Sequence, residues 1–370
     1  MEVQKILVMT GGGDAPGLNA VIRAVVKRAI LGHDWEVVGS IEAFNGVLDD
    51  PMRIVRLELA TVAGLLMRGG TILGTSNRGG PFEFPLKRAD GAIETIDRSD
   101  ELIRRLHRIG VDAVISIGGD GSQRIAQSLF EKGLPIVGVP KTIDNDLDAT
   151  EMTFGFQTAV ETATDAIDKL QTTAESHDRV MIVELMGRDA GWIALSAGIA
   201  GGADTILVPE IPFVVDNIAM HVKRRRKAGH HFSIIVVAEG AFPLGGTALT
   251  VKEREPGRPN PILGGVGRWL GDELEARGFS ETRVCVLGHL QRGGVPAAMD
   301  RLLATRYGVA AVDLIAEGRF GEMVALRGDD IVSVPIRDAV ARYRTVDAKH
   351  NLLKTGRGLG ICFGDVVPRS

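Results

Sequence analysis

The sequence lacks most of the features that would set it apart from an ordinary globular enzyme. Of 370 residues only two are cysteines, Cys285 and Cys362. Neither has metal-ligand spacing, which excludes a disulfide framework or a zinc site, and both read as small core residues among apolar neighbours. No uninterrupted apolar run is long enough to span a membrane. The net charge is −4, so no overall basic field points to nucleic acid. One local basic run, Lys223 to Lys227, reads as a solvated helix face, with a specific anion site as the alternative. The chain opens Met-Glu-Val-Gln-Lys and enters an apolar run at once. No secretory segment is expected, and a reducing cytoplasm is the expected compartment. Two nucleotide signatures are also missing. No Gly-Lys-Ser/Thr follows the first glycine loop, which excludes a P-loop. Pro16 stands where the dinucleotide fingerprint needs a third glycine after Gly11 and Gly13.

Glycine, by contrast, is abundant, at 47 residues, and it clusters directly after apolar runs. That pattern favours strand-to-loop turns in which the backbone approaches a ligand closely. Ile6 to Met9 leads into Thr10-Gly11-Gly12-Gly13-Asp14, followed by helical spacing from Leu18 to Val26. A glycine loop opening a helix is an anion-site arrangement, though weak evidence alone. Further units follow: a strand at 113–117 ending in Gly118-Gly119-Asp120-Gly121-Ser122 before a helix, and a strand at 181–185 ending in Met186-Gly187-Arg188-Asp189. The repeated βα unit is the mark of a doubly wound, mostly parallel α/β sheet, and the echo between units predicts two similar domains. Helices are expected near 98–109, 158–174 and 298–317, and a surface excursion at 241–262. Arg78, in the glycine-rich stretch 69–80, either reaches a phosphate or caps a loop.

The chain is organised around residues 140–146, Pro-Lys-Thr-Ile-Asp-Asn-Asp. An apolar run at 136–139 leads in, and two acids, Asp144 and Asp146, follow Lys141 and Thr142. In an open parallel sheet ligands bind beyond the carboxyl ends of the strands. Acids in two such loops, at 120 and at 144–146, can hold a metal ion and receive a proton at one site. That is the equipment of phosphoryl transfer, in which positioning and charge neutralisation do most of the work.

Five motifs in this order resemble the 6-phosphofructokinase family over nearly the whole chain. They are Gly-Gly-Asp-Ala-Pro-Gly-Leu-Asn (12–19), Gly-Gly-Asp-Gly-Ser (118–122), Pro-Lys-Thr-Ile-Asp-Asn-Asp (140–146), Met-Gly-Arg-Asp-Ala-Gly-Trp (186–192) and Gly-His-Leu-Gln-Arg-Gly-Gly (288–294). The resemblance implies transfer of a phosphoryl group to the 1-hydroxyl of fructose 6-phosphate in a cleft between the two domains. It implies a donor domain of residues 1–155 plus about 290–340, and a fructose 6-phosphate domain of 156–289 plus about 341–370. By match, Asp144 is the base, with Asp146, Thr142 and Arg188 as catalytic partners. Asp120 would hold Mg²⁺. Gly12, Gly13, Arg78, Gly119, Gly121, Ser122 and Lys141 fall on the donor side. Arg179, Met186, Gly187, Glu239, Arg283, His289 and Arg292 fall on the sugar phosphate, along with Thr142, Asp144 and Arg188. Arg179 and Arg283 would come from a neighbouring subunit, so the resemblance implies a homo-oligomer, dimer or tetramer. Read without the family, His289 is a hydrogen-bonded structural histidine.

The donor is legible in two residues that disagree. Gly121 leaves room that an aspartate would take from the α-phosphate, which favours ATP. Lys141 is the residue of pyrophosphate-dependent members, although some ATP-dependent members combine the two. ATP is the expected donor and pyrophosphate the alternative; a non-catalytic metabolite-binding subunit is the remote one. Gln157 departs from the family's usual aspartate. His230-His231-Phe232 lacks the lysine expected of an effector pocket, for which Arg23 and Lys27 are the other candidates.

Overall fold

The computed structural model describes residues 3–77, 79–87, 91, 93–252 and 261–368. The apolar runs form two sheets. In the first, the strands lie in the order Asp330–Pro335, Glu322–Arg327, Ile136–Thr142, Ala113–Gly118, Lys5–Thr10, Glu36–Ser40 and Ile54–Leu57, and the short Phe154–Gly155 strand pairs with Ile136–Thr142. The centre is parallel, and the outermost pair at each edge is antiparallel. The second sheet is parallel throughout, in the order Thr205–Leu207, Ser233–Ala238, Val180–Leu185 and Thr282–Val286.

The runs are continuous rather than alternating because both faces of each sheet are covered. Ile6, Val8, Ile115 and Ile117 pack on one side, with the helices Leu18–His33 and Ala298–Ala316. Leu7, Met9, Val114 and Ile136 pack on the other, with Leu102, Leu106, Ala126 and Leu129 of Ser99–Arg108 and Asp120–Glu131. The second sheet repeats the arrangement. Met181, Val183, Ile234 and Val236 meet the helices Phe156–Ser176 and Trp192–Ala200. Ile182, Ile235 and Val237 meet Val215–Lys227 and Val266–Ala276. The mixed α/β, mainly parallel fold expected from the sequence is thus present, with helix limits within two residues of expectation at 99–108 and 156–176.

Long-range ties bring distant chain onto the first sheet. Gly308 lets the Ala298–Ala316 helix lie directly on Leu18–His33: a Cβ there would stand 2.7 Å from Ala24 Cβ. Asp300, fully buried, accepts from the Thr158 amide at 2.7 Å and its hydroxyl at 2.5 Å. It supplies from 142 residues away an N-terminal cap for Phe156–Ser176, whose own cap position makes no side-chain bond. Two expectations need correction. Cys285 is only partly buried, because it lies on Thr282–Val286, an edge strand; Cys362 is fully buried. The 241–262 excursion contains a two-stranded hairpin of Thr250–Lys252 and Ile262–Leu263.

Candidate active site

The Ile136–Thr142 strand runs beside Ala113–Gly118 with Gly118 opposite Pro140. That register brings the loop after one strand level with the loop after the other. Gln123 fixes the pair from the side: its buried amide donates to the carbonyls of Gly118 at 3.1 Å and Val139 at 3.0 Å. Ser122 packs under the glycine loop, and a Cβ at Gly11 would meet its Oγ at 2.6 Å. The small residues at 11 and 118 are therefore needed for the close approach of three loops.

Within this junction lies a dense group of charges. Lys141 is 3% exposed and donates to the Gly13 carbonyl. Arg292 reaches the same loop from the other side, donating to the Asp14 carbonyl at 3.1 Å. A Cβ at Gly13 would stand 2.9 Å from its guanidinium. The 144–146 loop is held by its own polar groups. Thr142 Oγ1 accepts from the Asp144 amide at 3.1 Å, and Asn145 Oδ1 accepts from the Thr153 amide at 3.0 Å. Asn145 takes φ 53°, a left-handed conformation that asparagine tolerates better than most residues. The acids flanking it are left facing the cleft. Asp144 Oδ1 and Asp146 Oδ1 are buried without a hydrogen-bond partner, an arrangement that in a native protein points to a missing ligand or proton.

The electrostatics agree. Burial, with Arg292 beside it, pushes the Lys141 ammonium down to about 7, against the pull of Asp14, Asp144 and Asp146. Burial raises Asp144, opposed by Arg292, Lys141 and Arg188. Burial and the neighbouring Asp144 raise Asp146, and Asp120 adds to it. Across the cleft, burial followed by Asp144 pushes Glu239 up to about 7. Perturbed groups gathered at a cleft mark a functional site.

Asp120 begins the Asp120–Glu131 helix, 14% exposed at its side chain, and its Oδ2 accepts from Arg124 at 2.8 Å and from the Tyr343 hydroxyl at 3.2 Å. Gly119 backs onto the Ile136–Thr142 strand: a Cβ there would be 3.3 Å from the Lys141 carbonyl. A Cβ at Gly121 would meet nothing within 4 Å. Gly12 differs from expectation. Its amide donates to the Ser76 carbonyl at 2.9 Å, and its carbonyl accepts from Thr75 Oγ1 at 2.5 Å. The Gly12 N–H is therefore already engaged. Arg78 lies outside the described residues.

On the second sheet, Met186, Gly187 and Arg188 follow the Val180–Leu185 strand, and Glu239 follows Ser233–Ala238. Arg188 donates to the Pro261 carbonyl at 2.9 Å. Gly240 seats the loop, its amide donating to the Gly187 carbonyl at 3.0 Å. His289 is exposed, on the short helical turn Gly288–Arg292. Arg179 and Arg283 do not join this group. Arg179 precedes the first residue of Val180–Leu185, and Arg283 pairs with Met181. Both stand at the opposite end of the sheet from Met186, a strand length of roughly 20 Å away, and both bond Glu281 instead, at 3.3 and 3.2 Å. Sequence reasoning also passed over Arg124, Asp189 and Tyr343. Asp189 sits inside a quoted motif and was detectable there; Tyr343 lies outside every quoted motif and carries no local signal.

This geometry fits what the comparisons show. The model of the phosphofructokinase family matches residues 5–315, and the chain belongs to that family. It is 54% identical over 362 residues to the ATP-dependent 6-phosphofructokinase of Chloroflexus aurantiacus, covering 98% of each chain. It is 52% identical over 342 residues to the pyrophosphate–fructose 6-phosphate 1-phosphotransferase of Amycolatopsis methanolica, covering 92% of this chain and 96% of the other. Among solved structures, Pichia pastoris phosphofructokinase in the T-state superposes with a TM-score of 0.79 at 32% identity, over 92% of this chain and 36% of that one. The pyrophosphate-dependent phosphofructokinase from Marinobacter aquaeolei gives 0.75 at 22% identity and speaks to the fold alone.

Proposed function

We propose that the chain transfers the γ-phosphoryl group of ATP to the 1-hydroxyl of fructose 6-phosphate. The observation that carries the reading is the pair of buried carboxylates, Asp144 and Asp146, each with an unpartnered oxygen, facing Lys141, Arg188 and Arg292. Asp144 takes the proton of the 1-hydroxyl as that oxygen forms its bond to phosphorus. The bond from the γ-phosphorus to its bridging oxygen breaks, and ADP leaves. Asp146 and Thr142 hold the hydroxyl and the loop; Arg188 and Arg292 offset charge on the reacting groups. Ser122 and the glycine loop of 12–13, with Gly119 and Gly121, line the donor side. Met186, Gly187, Glu239, His289 and Arg292 line the sugar side.

Mg²⁺ is part of the proposal, with Asp120 as its ligand. Asp120 raises both Asp146 and Asp189, so the acids of the cleft repel one another and favour a cation among them. No cluster of three ligating side chains exists among the described residues, and none is needed where one or two carboxylates share the ion with phosphate oxygens. Bound there, the ion neutralises phosphate charge.

The chain is read as a homo-oligomer, dimer or tetramer. Arg179 and Arg283 stand at the other end of their sheet from Met186, which supports a role for them in a neighbouring copy's site rather than in their own. The division into a donor half (1–155 with about 290–340) and a sugar half (156–289 with about 341–370) is supported by the return of Ala298–Ala316 and Glu322–Arg327 to the first sheet and of Cys362 to Thr205 in the second. No described helix is long and apolar enough to cross a membrane; with both cysteines free, we place the enzyme in the cytoplasm. ATP as donor is supported by the open space at Gly121. Pyrophosphate is the second reading, favoured by Lys141. Initial rates with fructose 6-phosphate and ATP or pyrophosphate in parallel test both. Transfer from pyrophosphate with none from ATP would reverse the donor, and transfer from neither would remove the activity.

A further inference from the structure

The segment that follows the Ile336–Ala339 helix belongs to none of the motifs above, yet it touches three walls of the cleft. Tyr343 forms a β-bridge with Leu147, just past the catalytic acids, and its hydroxyl donates to Asp120 Oδ2 at 3.2 Å. The Arg344 amide donates to the Asp146 carbonyl at 2.8 Å, and its guanidinium to the Asn145 carbonyl at 3.3 Å. The same guanidinium lies 4.5 Å from the centre of the Trp192 ring, whose Nε1 donates back to the Arg344 carbonyl at 2.8 Å. Two residues on, the Val346 amide donates to Glu210 Oε1 at 2.8 Å, and that carboxylate also accepts from the Gly191 amide at 3.0 Å. Val340 packs in the core of the first sheet and Val346 in that of the second.

We propose that residues 342–346 form a strap that holds the two walls of the cleft in register, and that Arg344 is a positioning residue for the Asp144–Asp146 loop. The inference rests on the reading of that loop given above. The loop needs such support. Asn145 is a non-glycine residue in left-handed backbone, which costs free energy unless its surroundings impose it. The carbonyls of Asn145 and Asp146 both accept from Arg344. Trp192 opens the helix that follows Arg188 and Asp189, so one side chain fixes the base and the opposing cation together. Arginine suits the place: its planar fork stacks on the indole while an edge nitrogen donates, which a lysine cannot do.

The test uses the full chain with Arg344→Ala, Arg344→Lys and Trp192→Phe, read by amide hydrogen exchange and by steady-state kinetics. In Arg344→Ala, exchange is expected to accelerate at 143–148 and 189–193 and to stay at wild-type rates elsewhere. The turnover number should fall about 10- to 100-fold, while KM for each substrate moves less than about threefold. Arg344→Lys, which keeps a donor but not the stacked plane, should fall between. Trp192→Phe, which keeps a ring but loses the Nε1 bond, should show a smaller effect of the same kind. Unchanged exchange at 143–148 overturns the proposal. So does acceleration spread over the whole chain, or a loss confined to KM. Were the wild type to transfer nothing from either donor, the proposed function would fail, and the exchange pattern would still decide the strap.

Discussion

The two ends of the substrate path are built in opposite ways. At the reacting end, Lys141 is buried and bonded to the Gly13 carbonyl, and Asp144 and Asp146, half-buried as residues, each bury one carboxylate oxygen. At the far end, Arg179 is half-buried and Arg283 is exposed, and both are quenched by Glu281. Charge that must act on a transferring group gains from a dry, preorganised setting, where it is stronger and needs no reorganisation. Charge that recognises a phosphate between copies of a chain has to stay soluble until the copies meet. The difference explains why one set is strongly perturbed and the other is neutralised by a surface acid.

The sharpest way to break this comparison is to remove the proposed base, Asp144. Asp144→Ser should lower turnover by about 10²- to 10⁴-fold, with little change in the affinity for fructose 6-phosphate. Turnover near the wild-type value would show that the reacting end lies elsewhere. At the far end the signature should invert. Arg283→Ala should raise KM for fructose 6-phosphate about 10- to 100-fold, as expected for one charged hydrogen-bonding group, with turnover nearly intact. Mixing Asp144→Ser and Arg283→Ala chains should restore sites that hold both residues; absence of rescue would place Arg283 outside any neighbour's site. A smaller effect is expected at the donor. Gly121→Asp should raise KM for ATP about tenfold or more, because a carboxylate would face the α-phosphate. Unchanged ATP kinetics would mean that the open space beside Gly121 is not on the donor path.

The smallest effects concern stability, and they carry opposite signs. Lys141 is lowered to about 7 from 10.5. Between those values the folded chain binds fewer protons than the unfolded one, so stability rises with pH and is lost as pH falls through about 7. Glu239 is raised to about 7 from 4.5. Its contribution is fully present below 4.5 and lost as pH rises through about 7. Lys141→Met should flatten the alkaline slope and Glu239→Gln the acidic one. Each variant should be more stable than wild type at neutral pH by on the order of 1 kcal/mol or more. Melting temperatures across pH 4 to 10 check both, and parallel curves for variant and wild type would show that burial does not perturb these groups.

Much of the fold was legible because its signals are local. An apolar run closed by glycine, then a helical period, specifies a βα unit without reference to anything distant. The acids of 120 and 144–146 follow their strands directly, so a parallel sheet sends them to one edge. The bond that the Gly12 amide makes to the Ser76 carbonyl, 64 residues away, carries no such local signal. Arg179 and Arg283 were assigned to a neighbour by family likeness; their place at the amino end of the strands keeps them out of the group around Asp144 in their own chain.

By itself, then, the chain determined its strands, its loop chemistry and the acids that those loops present, since all of these depend on neighbours within a helical turn or a strand. Tertiary structure alone decided which oxygens stay unpartnered, that Lys141 turns to Gly13, that Asp300 caps a helix across the core, and that Tyr343 and Arg344 come back to the catalytic loop. Those outcomes depend on sheet register and on segments up to about two hundred residues apart meeting in a low-dielectric interior, and no local pattern encodes them.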